Sequence, residues 1–238
     1  MLTIEYDIRE DQPEGTGVLS LEPASADLII SLLCTRFTQL TDIDAKRIAD
    51  FSGGNARIAI ALASTVRQYE SISHLKDEQL FKRLFHQRHQ EEHSLVQAAQ
   101  ILSLVYSFQY KDDEETYSHE LKFLSNVSSI PEKNLYESAQ ELKRRSLIQQ
   151  RGVWMAVLPH PIANRLARAA LQNIPENQFV HFFNENTDRR ILISVSRRIS
   201  YLDNCTEALD IVVNWLKKKG VINKLLDNGE GTLALTLS

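Results

Sequence analysis

The sequence predicts a mainly α-helical chain carrying one small β-hairpin. Three observations point there. Apolar residues recur at helical intervals along most of the length, 43% hydrophobic content suffices for a core, and only eight glycines and six prolines interrupt 238 residues. That length allows one large domain or two to three small ones. The net charge of −4 supplies no global attraction to nucleic acid or to an anionic membrane. No apolar run approaches the roughly 20 residues of a membrane span, and the amino terminus has no signal-peptide pattern, so the expected location is the cytoplasm. Cys34 and Cys205 lie far apart inside helical patterns and read as thiols of a reducing compartment rather than a disulfide.

The elements follow in order. The opening MLTIEYDI alternates and is rich in β-branched and aromatic residues, which predicts a strand, with a loop and a short extended piece behind it as far as Pro23. Ser25 caps a helix over 26–37, and Thr41 or Asp42 caps another over 43–52. The stretch FSGGNARIAIALA then joins that helix to a third, 56–70. Gly53 and Gly54 take positive φ and close the preceding helix, while Asn55 is a good cap for the next. Arg57 stands in the first turn of an otherwise apolar helix, held close to the glycine turn.

The segment SHLKDEQLFKRLFHQRHQEEH predicts an amphipathic connecting helix, and 94–108 a strongly apolar one. Asp112 to Glu115 open a helix in which Tyr117, Leu121 and Leu124 share a face. After Ile130-Pro131 comes a helix that buries Leu135, Ala139 and Leu142. Extended pieces at 147–150 and 153–158 flank a turn at Arg151-Gly152, and HPIANRLARAAL begins a further helix. Three helices followed by a hairpin is the order of a winged helix-turn-helix unit. Beyond Pro175, helices are expected over 176–185, 187–202, 205–219 and 221–227, with an apolar stripe of Ala208, Ile211, Val212 and Trp215. Short connections suggest the start of an α-hairpin array, without a fixed-period repeat.

The chain has no G-x-x-x-x-G-K-[ST], no acidic pair closing an apolar run, no G-x-S-x-G, no H-E-x-x-H and no C-x-x-C. It therefore carries no catalytic constellation of its own. His86, His89 and His93 sit in FHQRHQEEH, two of them four residues apart, but metal binding needs neutral imidazoles converging with a further ligand. They read as a solvated connector, and no metal site is assigned.

The segment LEPASADLIISLLCTRFTQLTDIDAKRIADFSGGNARIAIALA resembles the helical lid of AAA+-related ATPases, specifically the STAND class of signal-transduction ATPases. There, a helix opening with G-x-x-R follows the nucleotide-binding core, and its arginine, the sensor-2 residue, reaches nucleotide phosphate across the lid–core cleft. In this chain the motif is Gly54-Asn55-Ala56-Arg57. The opening LTIEYDI is similar to the last strand of such a core, and STAND proteins place a winged helix and then superhelical repeats after the lid.

The resemblance divides the chain into 1–22, a last core strand and exit; 23–75, the lid; 76–90, a connecting helix; 91–172, the winged helix; and 173–238, a helical-repeat-like region. The P-loop and acidic Mg²⁺ motif of that class are absent. The resemblance thus implies an upstream ATPase core, on the same or a separate chain, as partner, with homo-oligomerisation as an accompanying expectation. ATP and Mg²⁺ are expected cofactors only together with that core, as is NTPase activity. Arg57, Gly54 and Asn55 become the candidate nucleotide-binding residues. A guanidinium suits phosphate because it offers two parallel donors and keeps its charge. The plain alternative for Arg57 is an ion pair with a nearby carboxylate.

Two further candidates come from the downstream helices. In some relatives of this architecture a winged-helix histidine contacts the β-phosphate of ADP, and His160, at a helix start, is the residue here at a comparable place; capping or packing is its competing role. Lys143, Arg144, Arg145 and Arg151 lie at the end of the recognition-like helix and on the wing, where winged-helix DNA binders contact phosphates. Glu132, Glu137 and Glu141 share that helix and blunt the attraction. The competing functional reading is therefore a DNA-binding regulator with a helical dimerisation region, although the mixed charge argues against nucleic acid as a partner.

Overall fold

Serine, threonine and asparagine side chains set where the first helices begin. In the computed structural model, which describes residues 22–85, 93–111, 117–145, 147–157, 160–175, 188–218, 220–227 and 229, Ser25 caps α1 (Ala26–Arg36) by accepting the Leu28 N–H at 3.3 Å. Thr41 caps α2 (Asp42–Ser52), accepting the Asp44 N–H at 3.1 Å. Asn55 caps α3 (Ala56–Ala63) through the Ile58 N–H, also at 3.1 Å. The opening strand, His86 and His89, Asp112 to Glu115, the helix expected over 176–185 and the carboxy-terminal TLALTLS lie outside the described residues.

The described residues fall into two compact units, one drawn from 13–96 with 159–162, the other from 97–158 with 163–238. In the first, α1 to α3 and α4 (Asp77–Phe85) bury Ile29, Leu33, Ile48, Leu62 and Leu80, and Phe51 meets Phe81 edge to face with ring centroids 4.9 Å apart. Polar residues of α2 clasp the segment that follows α3. The Asp44 side chain, fully buried, accepts the backbone N–H groups of Ile72 and Ser73, both at 2.8 Å, and the Ser71 hydroxyl at 2.9 Å. One turn on, the Arg47 guanidinium donates to the Leu75 carbonyl at 3.0 and 3.1 Å and to Asp77 at 2.6 Å.

The third helix is shorter than the expected 56–70. Ser64 and Thr65 turn their hydroxyls back onto the carbonyls of Ala61 and Leu62, at 2.7 and 2.6 Å, and the helix stops at Ala63. A tight turn follows, in which the Glu70 N–H bonds the Arg67 carbonyl and Tyr69 takes φ 65°.

The second unit begins within α5 (His93–Leu102), which is also shorter than expected. The chain does not remain helical to 108; instead Phe108–Gln109 form a short strand, β1. The reason lies in tertiary structure. The backbone of Tyr106 and Ser107 bonds to α9 (Arg189–Ile199), where Ser194 accepts the Tyr106 N–H on its carbonyl at 3.0 Å and the Ser107 N–H on its hydroxyl at 3.1 Å. The same hydroxyl donates to the Ser107 carbonyl at 2.7 Å. These groups thus find partners outside a helix.

Next come α6 (His119–Ser128), α7 (Glu132–Arg144), β2 (Ile148–Arg151), β3 (Trp154–Val157) and α8 (His160–Asn173). Leu135, Ala139 and Leu142 of α7 are all fully buried, as their spacing predicts. The three strands form an antiparallel sheet in the order β1-β3-β2, with Phe108 opposite Met155 and Ile148 opposite Val157. The hairpin turn places Gly152 at φ 54°, in the first central position, where a mirror-image turn needs positive φ. The sheet therefore has one strand more than the predicted hairpin. After α9, α10 (Thr206–Leu216) buries Ala208, Ile211 and Trp215, and α11 (Val221–Asp227) closes the described chain. The protein is mainly helical with one small antiparallel sheet. No helix among the described residues is long and apolar enough to cross a membrane. Cys34 and Cys205 are free thiols.

Candidate functional site

The turn that presents Arg57 is held from two sides. Gly53 caps α2 in the left-handed region at φ 57°, and Gly54 follows at φ 81°. A Cβ on Gly53 would lie 2.4 Å from the Cβ of Pro161, the second residue of α8; one on Gly54 would lie 2.6 Å from the Ala24 carbonyl oxygen. The Ala24 N–H also donates to the Gly54 carbonyl at 3.2 Å. Both glycines are required by conformation and by space. Gly53→Ala is accordingly expected to cost about 2 kcal/mol, from left-handed strain plus overpacking, seen as a lower melting temperature. A melt shifted by less than a degree would show that the turn relaxes freely.

From this base α3 starts with Arg57 in its first turn. The Arg57 side chain is exposed, and among the described residues it makes no ion pair or hydrogen bond. The first turn of α3 carries no acidic residue. A helix N-terminus already presents partial positive charge, so an arginine there adds to a local field that attracts anions. Pro161 brings the start of α8 against the glycine turn. Its neighbour His160 is half-buried, with both ring nitrogens shielded from solvent.

The cations of α7 and the hairpin are arranged differently. The Lys143 ammonium donates to the Gln150 amide oxygen at 2.6 Å. Arg144 and Arg145 both pair with Glu141, at 2.7 Å each, and the Arg145 hydrogen bond is the main cause that holds the Glu141 carboxyl below its ordinary range. Arg151 ends β2 at the hairpin. Lys143, Arg144 and Arg145 thus spend donors on neighbours, which weakens the case for DNA.

Sequence reasoning missed three arrangements. In the first unit, Thr65, Arg67, Glu70, Lys82 and Arg83 line a cleft of about 410 Å³. The Arg83 guanidinium pairs with Glu70 and, together with the Arg67 backbone N–H, holds that carboxyl low. In the second unit the Glu120 carboxylate, 7% exposed, receives two N–H groups of Arg190 and the Gln109 N–H at 2.7 Å. The Arg190 guanidinium also donates to the Ser107 carbonyl at 2.9 Å and lies 4.4 Å from the Trp154 ring centroid. Burial pushes the Glu120 carboxyl up while Arg190 and the Gln109 amide pull it down. The third is Arg198, fully buried, which donates to Asn164 and to the Val105 carbonyl and faces Tyr106, its ring centroid 5.5 Å away. Burial lowers its pKa to about 10. These are long-range polar joints whose partners no local pattern announces.

Among the described residues no group of three or more His, Cys, Asp or Glu is placed to hold a metal. Comparisons with protein families, with curated proteins and with solved structures find no match to this chain.

Proposed function

We propose that this chain is the regulatory portion of a STAND-type signal-transduction ATPase, in which α1 to α3 act as the helical lid and Arg57 senses nucleotide phosphate. The observation that carries the reading is the state of Arg57. It is an exposed guanidinium in the first turn of α3, with no carboxylate partner among the described residues, presented by a glycine turn whose positive φ and close neighbours leave no room for a larger residue. The element order α6-α7-β2-β3, with β1 completing the sheet, supports a winged helix after the lid, and α9 to α11 support a following helical array. Bidentate donation from Arg57 to a β- or γ-phosphate would close the lid while that phosphate is present, and its loss on hydrolysis would release it. Nucleotide state is thereby converted into conformation or oligomerisation. The P-loop core that supplies ATP and Mg²⁺ is a partner in this reading.

The test uses the chain together with the P-loop core encoded in frame or beside it. Arg57→Ala is expected to abolish ATP-dependent assembly, with a roughly tenfold or greater loss in nucleotide response and an unchanged thermal melt. Arg57→Lys, which keeps charge but not the planar fork, should recover only part of it. An Arg57→Ala protein that assembles with ATP like the parent overturns the assignment, as does the lack of any P-loop partner.

A further inference from the structure

α10 carries apolar residues on two faces. Ala208, Ile211 and Trp215 are buried, whereas Leu209, Val213 and Leu216 are 60%, 55% and 52% exposed. Their spacing of four and then three residues, with Thr206 three residues before Leu209, is the a/d alternation of a coiled-coil seam. Single surface apolar residues need no explanation, but three in register along one stripe of an 11-residue helix do. Charge is polarised along the same stripe. Exposed Asp210 lies toward its amino-terminal end, and exposed Lys217 directly follows the helix.

We propose that this face of α10 is an interface with a second copy of the chain, the two α10 helices running antiparallel about a twofold axis. In that arrangement Leu209 of one copy faces Leu216 of the other, and Val213 meets its own counterpart at the axis. Asp210, beside the seam, falls opposite Lys217, and symmetry repeats the pair at the other end. In a parallel arrangement a position beside the seam on one helix flanks the opposite side of the seam on the other, so Asp210 and Lys217 would not meet and no charge pair would form. The charge order therefore selects antiparallel self-association. Among the described residues Asp210 makes no ion pair or hydrogen bond, and the Lys217 ammonium contacts only the amide oxygen of half-buried Asn214, a bond it can share. Three side chains per copy cover less than the roughly 800 Å² per partner of a standard stable interface, so the dimer is weak and depends on concentration. The inference uses nothing of the nucleotide reading.

Sedimentation of the full chain over micromolar to near-millimolar concentrations tests it. The parent is expected to show a monomer–dimer equilibrium, and Val213→Asp to leave only monomer. Asp210→Lys and Lys217→Asp should each weaken association by about tenfold, because each turns two attractive pairs repulsive. The double variant should restore self-association, and a mixture of the two single variants should form heterodimers. All these positions are exposed, so unchanged circular dichroism and melting would exclude misfolding as the cause. A chain that stays monomeric, a dimer indifferent to Val213→Asp, or a double variant without rescue each overturns the proposal. So does a monomer whose α10 face binds a different protein.

Discussion

Asp44→Ala is expected to destabilise the first unit by about 3–5 kcal/mol. The carboxylate is fully buried, and its Oδ1 receives the Ile72 and Ser73 N–H groups and the Ser71 hydroxyl. Its Oδ2 accepts from the Thr41 hydroxyl at 2.7 Å, so one side chain joins the α2 cap to the segment after α3. Alanine would leave the buried Ile72 N–H and the half-buried Ser73 N–H without acceptors, each at a cost of about 1–3 kcal/mol, while the exposed Ser71 and Thr41 hydroxyls can turn to water. Urea denaturation gives the loss directly, and amide exchange at Ile72 and Ser73 should accelerate first. A loss below 1 kcal/mol would mean that water replaces the carboxylate. Asn, which retains one acceptor, should lose less.

The same residue makes stability depend on acid. Burial alone would raise the Asp44 carboxyl, but hydrogen bonds from Thr41, Ile72, Ser71 and Ser73 outweigh it and hold the folded value below the ordinary one. A depressed folded value means that the unfolded chain takes up the proton first. The stabilisation is therefore complete above the unfolded value of about 3.9 and is lost as pH falls through the lower folded value. Asp44→Asn should flatten that part of the pH–stability curve. An unchanged acid limb in the variant would assign it to other carboxylates.

Arg190→Ala is expected to cost the second unit about 3–5 kcal/mol, because it strands the Glu120 carboxylate at a buried position. It also removes one of the two donors on the Ser107 carbonyl, leaving the Ser194 hydroxyl, and uncovers one face of Trp154. Fluorescence of Trp154 should change together with the unfolding midpoint. Glu120→Gln in the Arg190→Met background, which removes both charges, should recover much of the loss. A double variant no more stable than Arg190→Ala would show that the guanidinium acts through packing and the Ser107 contact rather than through charge pairing.

Most of what is specified within a few residues is legible in the sequence, and most of what is not shares one cause. The α7 stripe is set by 3.6-residue spacing, the glycine turn by φ preference and the hairpin by Gly152; each signal lies within a few residues of the structure it specifies. Ser64 and Thr65 ending α3 were a local signal too, but the apolar run before them favoured a longer helix. The fate of Ser103 to Gln109 could not be read from 94–108, because its alternative bonding partner is Ser194. Nor could Glu120 and Arg190 be matched, or Asp44 with the backbone of Ile72. Polar joints between distant segments have no period, and a charged residue reads as solvent-facing until its partner is known. The nucleotide reading likewise rests on Arg57 within its turn together with a resemblance in the surrounding helices, because the groups that would complete the site are not in this chain.

The bonding of Ser107 to Ser194 spans 87 positions in the chain, and that of Glu120 to Arg190 spans 70. On a ribosome working at about 5–20 residues per second, the 87-position gap is a wait of roughly 4–17 s. Throughout it, β1 and its neighbours have been synthesised but the helix that satisfies them has not. Even after β3 completes the sheet at residue 157, the Tyr106 and Ser107 backbone and the Glu120 carboxylate await α9, so slower translation across 158–190 is expected to prolong the time in which these polar groups lack their native partners.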